Sequence, residues 1–130
     1  MQKFTDVIME FVNKMGYLSS NDIEGIICYG TGFGNQFSDI DLHIIFNNNL
    51  EEEIRGSALI NGIRIEYFEK RLESMYSKTL NEFKNQGNAV VSMIVYGDII
   101  LDKNGKIILK LYILCLCHVY LKKKLKNSWQ

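Results

Sequence analysis

The sequence predicts an α/β (α+β) protein, a mixed β-sheet of about 4–5 strands flanked by helices. Three observations predict it. Apolar residues recur at helical spacing in Phe4, Val7, Ile8, Phe11, Val12 and Met15, and again in Leu72, Met75, Tyr76, Leu80 and Phe83. Between those stretches lie short strand-like runs, "IICYG", "DIDLHIIF" and "SALINGIRIEYF". The resulting order of helix, strands, helix, a mixed piece and helix suits helices laid on a sheet. At 130 residues the chain is expected to form a single domain, 1–130, with one modest core.

Each element has a local cause. Gly16 is the expected stop of the first helix, because glycine takes the left-handed conformation that ends one. "SSNDIEG" is a polar connection, "IICYG" a short buried strand, and "DIDLHIIF" a second strand after a glycine-rich loop. "NNNLEEE" reads as a charged surface turn. Asn61-Gly62 is a favoured two-residue turn and makes "SALINGIRIEYF" a hairpin. The second helix is expected to close at Gly87. "AVVSMIVYGDII" fits helix and strand alike, and "DKNGK" is a turn. From Ile107 onward the pattern predicts a C-terminal helix at about 107–126, apolar nearly all round as far as Leu121. Such a helix is normally buried, either in the chain's own core or against a second copy as a homodimer.

Composition narrows the function. The hydrophobic fraction is 47% and the charged fraction 23%, as in ordinary soluble globular proteins. Formal net charge is zero, yet four lysines (Lys122, Lys123, Lys124, Lys126) fall in the last nine residues. The remainder carries 11 basic and 15 acidic side chains, a net of −4, which does not attract a polyanion. Nucleic acid is therefore not an expected partner. The lysines suit a helix C-terminus. Three cysteines without C-x-x-C spacing support neither a disulfide framework nor a zinc site, and a reducing cytoplasm is the expected location. "MQKFTDVIMEFVNKMG" lacks the pattern of a secretory signal, and the apolar run 107–121 is short of the ~20 residues that cross a bilayer.

The chemistry concentrates in "CYGTGFGNQFSDIDLHIIF". Side chains alternate along a strand, so Asp39 and Asp41 share one face with Cα atoms about 6.5–7 Å apart, while Ile40, Leu42 and Ile44 enter the core. Two carboxylates so close repel one another unless a cation lies between them. All-oxygen ligands favour Mg²⁺ or Mn²⁺ over zinc. A bare D-x-D is more often a solvated strand start. Here Gly30, Gly32 and Gly34 let backbone N–H groups approach an anion, and the Thr31 hydroxyl points to the same use. Phosphate donors beside carboxylate-held metal form a coherent set. Other phosphate motifs fail: "GTGFGN" is not G-x-G-x-x-G and leads into a strand, and no G-K-[ST] occurs.

Gly30-Thr31 followed by Ser38-Asp39-Ile40-Asp41-Leu42 resembles the signature of the nucleotidyltransferase superfamily related to DNA polymerase β. Antibiotic nucleotidyltransferases and the minimal nucleotidyltransferases of toxin–antitoxin pairs carry that signature. Members have a third carboxylate on a neighbouring strand, and "INGIRIEYFEK" offers Glu66 in that context. Thr31 stands where serine is usual, and the loop from Gly30 to Ser38 is shorter than is common. The resemblance implies a nucleotidyltransferase-like core and a transfer of AMP from ATP, or of another nucleoside monophosphate from its triphosphate, to a hydroxyl. Asp39, Asp41 and Glu66 would be the catalytic carboxylates, holding up to two Mg²⁺ ions. Gly30, Thr31, Gly32 and Ser38 would cradle the phosphates. Glu66 would also take the acceptor's proton.

Three functions compete. The first modifies a small molecule such as an aminoglycoside-like antibiotic and would confer antibiotic resistance. The second is an antitoxin-type enzyme whose acceptor is a residue of a partner protein. The third is a nucleotide-binding module without transferase activity. Read without the family, Glu66 is half of a surface ion pair with Arg64, and Arg64 itself is a lesser candidate for phosphate or acceptor contact. His43 reads as a packed neighbour rather than a ligand.

Overall fold

A computed structural model describes residues 2–29, 40–85, 97–105 and position 123. Helix α1 spans Gln2–Lys14, and a short 3₁₀ turn at Tyr17–Ser19 leads into β1, Ile23–Tyr29. Strands β2 (Ile40–Phe46), β3 (Ile54–Ile60) and β4 (Ile63–Arg71) follow, then helix α2, Leu72–Asn85, and β5, Asp98–Asp102. The five strands form one sheet in the order β3-β4-β2-β1-β5. The β2–β4 pair is parallel and the other three pairings are antiparallel, so the sheet is mixed as expected. The ambiguous segment resolves in part, since its last residues, 98–100, belong to the edge strand Asp98–Asp102, which also takes in Asp102, read as the start of a turn.

Gly16 ends α1 with a φ of 73°, and its backbone N–H donates to the Asn13 carbonyl. Asn61 and Gly62 both take positive φ, 52° and 78°, which two-residue turns of this type require. That turn pairs Ile60 with Ile63 and fixes every later partner of the hairpin. The connection between β2 and β3 is pinned by Arg71, whose Nε donates to the Leu50 carbonyl and Nη2 to the Glu51 carbonyl, each at 2.7 Å.

Alternation along the strands gives the sheet two faces. On one, Val7, Ile8, Phe11 and Val12 of α1 pack on Ile26, Cys28, Ile40, Leu42, Ile44, Ile63 and Ile65. Tyr17 joins this core and donates its hydroxyl to Glu69 at 2.6 Å, satisfying the one polar atom it buries. On the other, Met75 of α2 meets Ile27 and Ile45, with Leu72, Tyr76, Tyr29 and Ile99 around them. The Thr79 hydroxyl, fully buried, donates to the Met75 carbonyl within α2. Leu80, counted on the apolar face of that helix, is 49% exposed.

The glycine-rich loop, with Gly30, Thr31, Gly32, Ser38 and Asp39, lies outside the described residues, as do Gly87 and the predicted helix at about 107–126, save position 123, which is helical. The homodimer expected through that helix falls outside them too. Among the described residues no helix is long and apolar enough to cross a membrane.

Gly56 of β3 leaves no room for a side chain. A Cβ there would collide with the Tyr67 ring, which is itself packed on Phe11 with centroids 5.2 Å apart. Gly56→Ala must push Tyr67 into the α1 interface. Overpacking of this kind costs about 1–3 kcal/mol. Thermal unfolding of the variant should show a clear drop in Tm; an unchanged Tm would contradict this packing.

Candidate functional site: a carboxylate pair on the sheet rim

Asp41 and Glu66 come together through strand pairing. In the parallel β2–β4 register Asp41 lies directly opposite Glu66, and in the antiparallel β1–β2 register it lies opposite Tyr29. Ser57 of β3 lies opposite Glu66. Partners across a ladder share a face, so Ser57, Glu66, Asp41 and Tyr29 form one row across four strands. Neighbouring strands are about 4.8 Å apart, which puts the two carboxylates within reach of a single cation. Ile40 and Leu42, flanking Asp41, are buried on the opposite face, as the alternation predicts. Asp39 precedes β2 by one residue and lies outside the described residues with Gly30, Thr31, Gly32 and Ser38.

Glu66 has cationic neighbours. Its Oε2 lies 3.5 Å from Arg55 Nη2 and its Oε1 lies 3.5 Å from Arg64 Nη2. Both distances are long for charge-assisted hydrogen bonds, which run about 2.7–2.9 Å. The Glu66 side chain is 22% exposed, whereas Arg55 and Arg64 are 69% and 55% exposed. The Arg64 pairing is the one the sequence suggests for a structural Glu66; the Arg55 pairing is new. Its signal was available, because counting outward from the Asn61-Gly62 turn places Arg55 beside Phe68 and one row from Glu66.

The next row holds Arg55, Phe68, His43, Ile27 and Ile99. His43 stacks on Phe68 with centroids 4.9 Å apart and planes 11° from parallel. Arg55 lies over the same ring at 5.1 Å and Lys70 Nζ at 5.3 Å. His43 is therefore a packed residue, as expected, and its buried Nδ1 has no hydrogen-bond partner among the described residues. Burial, followed by the charges of Lys70 and Lys78, pushes its pKa down to about 4. Burial likewise lowers that of Lys70, with Lys78 adding to the effect and Glu53 opposing it. Cys28, beneath the sheet on the α1 face, has its thiol pushed up to about 12 by burial and then by Asp98 and Asp41, which makes it a packing residue rather than a nucleophile.

Among the described residues no group of three His, Cys, Asp or Glu side chains could hold a metal ion. Asp41 and Glu66 are two all-oxygen donors side by side. That donor set fits a hard divalent cation of the Mg²⁺ type, which is commonly bound by one or two carboxylates plus substrate phosphates.

An unfolded histidine titrates near 6.5 and folded His43 near 4. Between those values the unfolded chain holds a proton that the fold excludes, so stability is full above 6.5 and falls as pH drops toward about 4. The loss is on the order of 3 kcal/mol. His43→Phe, which keeps a ring on Phe68, should flatten the decline of Tm over this window relative to the parent; parallel curves would contradict the neutral, buried assignment.

Neither protein-family models nor curated proteins match the sequence. A solved structure does match the fold: a nucleotidyltransferase-like protein from Exiguobacterium sibiricum 255-15, at a TM-score of 0.63 and 16% identity over 87% of this chain. The chain spans 37% of that protein's length. The five-stranded mixed sheet and two helices of the described residues thus share the fold of that nucleotidyltransferase-like protein.

Proposed function

We propose that the protein is a Mg²⁺-dependent nucleotidyltransferase that moves a nucleoside monophosphate, AMP from ATP in the first instance, onto a hydroxyl of a small-molecule acceptor in the cytoplasm. One observation carries this: the β2–β4 register sets Asp41 beside Glu66 on one face, at the sheet end where the glycine-rich segment joins β1 to β2. The resemblance of Ser38-Asp39-Ile40-Asp41 to the superfamily signature and the likeness of fold support the same assignment.

In this proposal Asp39, Asp41 and Glu66 would hold the cation, which would supply positive charge against the triphosphate. Gly30, Thr31, Gly32 and Ser38 bind the phosphates through backbone N–H groups and hydroxyls. The acceptor oxygen bonds to the α-phosphorus and the bond to the bridging oxygen of the β-phosphate breaks. Pyrophosphate leaves with that electron pair, and Glu66 takes the hydroxyl proton. The chain contributes mostly position and charge rather than covalent chemistry.

A second reading, a nucleotide-binding module without transfer, has its own observation: both oxygens of Glu66 already face arginines. Exposed pairs at such distances are weak, worth about 0–1 kcal/mol, and a divalent cation competes with them readily.

Two assays separate the readings. Calorimetry should give saturable Mg²⁺-dependent ATP binding that is lost, by tenfold or more, in Asp41→Asn while its far-UV spectrum stays that of the parent. Release of labelled pyrophosphate, even slowly with water as acceptor, should require Mg²⁺ and both Asp41 and Glu66. Equal ATP·Mg²⁺ affinity in parent and Asp41→Asn would reject the role of Asp41. Binding without any pyrophosphate release would favour the module.

A further inference from the structure

Arg55 and Arg64 stand on the β3–β4 edge of the sheet beside Glu66, and neither is held by Glu66 alone. Arg55 is stacked on Phe68, which His43 supports at 4.9 Å. Arg64 Nε donates to Ser57 Oγ at 3.2 Å. Both arginine side chains are more than half exposed. Their shared anion is Glu66, the carboxylate assigned to the acceptor side of the reaction. When Glu66 is committed to a cation and to the acceptor's proton, two preorganised guanidinium forks are left without that partner. Lys70, over the same Phe68 ring, adds a third positive group nearby.

We propose that Arg55 and Arg64 anchor the acceptor, and that the acceptor is a small hydroxyl compound carrying a phosphate group. The proposal rests on the nucleotidyl-transfer reading. A guanidinium presents paired N–H donors that match phosphate oxygens, and two of them on one rim form a phosphate clamp. A polycationic, aminoglycoside-like acceptor would meet these cations as well as the metal, and would be repelled. A nucleic-acid acceptor is disfavoured by the net charge of −4 on the chain ahead of its terminal lysines. In the transfer step the acceptor's phosphate is unchanged. It is held by the arginines while its hydroxyl oxygen bonds to the α-phosphorus and pyrophosphate departs.

The test uses full-length protein with ¹⁵N-labelled arginine, loaded with Mg²⁺ and an ATP analogue carrying a methylene between the α- and β-phosphorus. Inorganic phosphate, glycerol 3-phosphate, glycerol, kanamycin and a short RNA are titrated separately while the Nε–Hε signals of Arg55 and Arg64 are followed. The two phosphate probes should shift both signals saturably, glycerol and kanamycin should not, and RNA should bind no better than inorganic phosphate. In Arg55→Gln/Arg64→Gln the phosphate Kd should rise about tenfold or more. Arg64→Lys, which keeps the charge but loses the fork, should fall between the two. Unfolding curves check that each variant folds. Absence of phosphate-induced shifts in the loaded protein, saturation of both arginines by the analogue alone, or tighter binding of kanamycin or RNA would each overturn the proposal. If the Mg²⁺·analogue itself fails to bind by calorimetry, the transferase reading fails and the acceptor site falls with it; phosphate failing while the analogue binds removes the acceptor site alone.

Discussion

The parallel pairing of β2 with β4 is the constraint on which the candidate site depends. Parallel strands cannot be joined by a tight turn, so the chain runs from β2 along the 47–53 connection to the sheet edge, makes β3, and returns as β4 between β3 and β2. That detour puts a residue from the middle of the chain, Glu66, beside Asp41. Arg71 fixes the detour by donating to two carbonyls of the connection. A slip of one residue in this pairing would turn Glu66 into the α1 core and bring Ile65 or Tyr67 beside Asp41. The buried Ile63 and Ile65 of β4 oppose that slip, since it would turn both out of the core they share with Ile40, Leu42 and Ile44 of β2. The apolar core on one face therefore holds the register of the acidic pair on the other.

Charge on the rim is arranged in layers. The row nearest the glycine-rich segment is acidic, with Asp41 and Glu66. The row behind it is aromatic and basic, with Arg55, Phe68 and His43. Two carboxylates alone would raise the energy of the folded state, and Arg55 and Arg64 offset part of that repulsion. Their long contacts offset it incompletely, which leaves Glu66 able to exchange partners. His43 stays neutral within this field because burial and the lysines nearby both oppose its protonation.

Much of this was legible in the residues. The alternation in "DIDLHIIF" set the faces of Asp41 and of Ile40, Leu42 and Ile44. Asn61-Gly62 set the hairpin register, and with it the partners of Glu66 on β3. What pattern could not supply was the neighbour of β2. The sequence offers no local signal that β4 rather than β3 lies beside it, because pairing between strands distant in sequence is decided by the shared core and not by propensity. The hairpin count places Arg55 beside Phe68, but the arrival of His43 in that row was hidden for that reason, because it depends on the neighbour of β2. Residues 98–100, the end of the ambiguous stretch, could not be assigned because an edge strand of five residues carries too few alternations to separate strand from helix, and Asp102, read as the start of a turn, closes that strand.

The proposed transfer requires a divalent cation between Asp41 and Glu66. Crystals grown with Mn²⁺ and a non-cleavable ATP analogue test it directly through the anomalous signal of the metal. The expected result is a peak within bonding distance of an oxygen of Asp41 and one of Glu66, with the Glu66 oxygen turned away from Arg55 or Arg64. A Mn²⁺ peak located elsewhere, with Glu66 still paired to both arginines in nucleotide-bound protein, would contradict it.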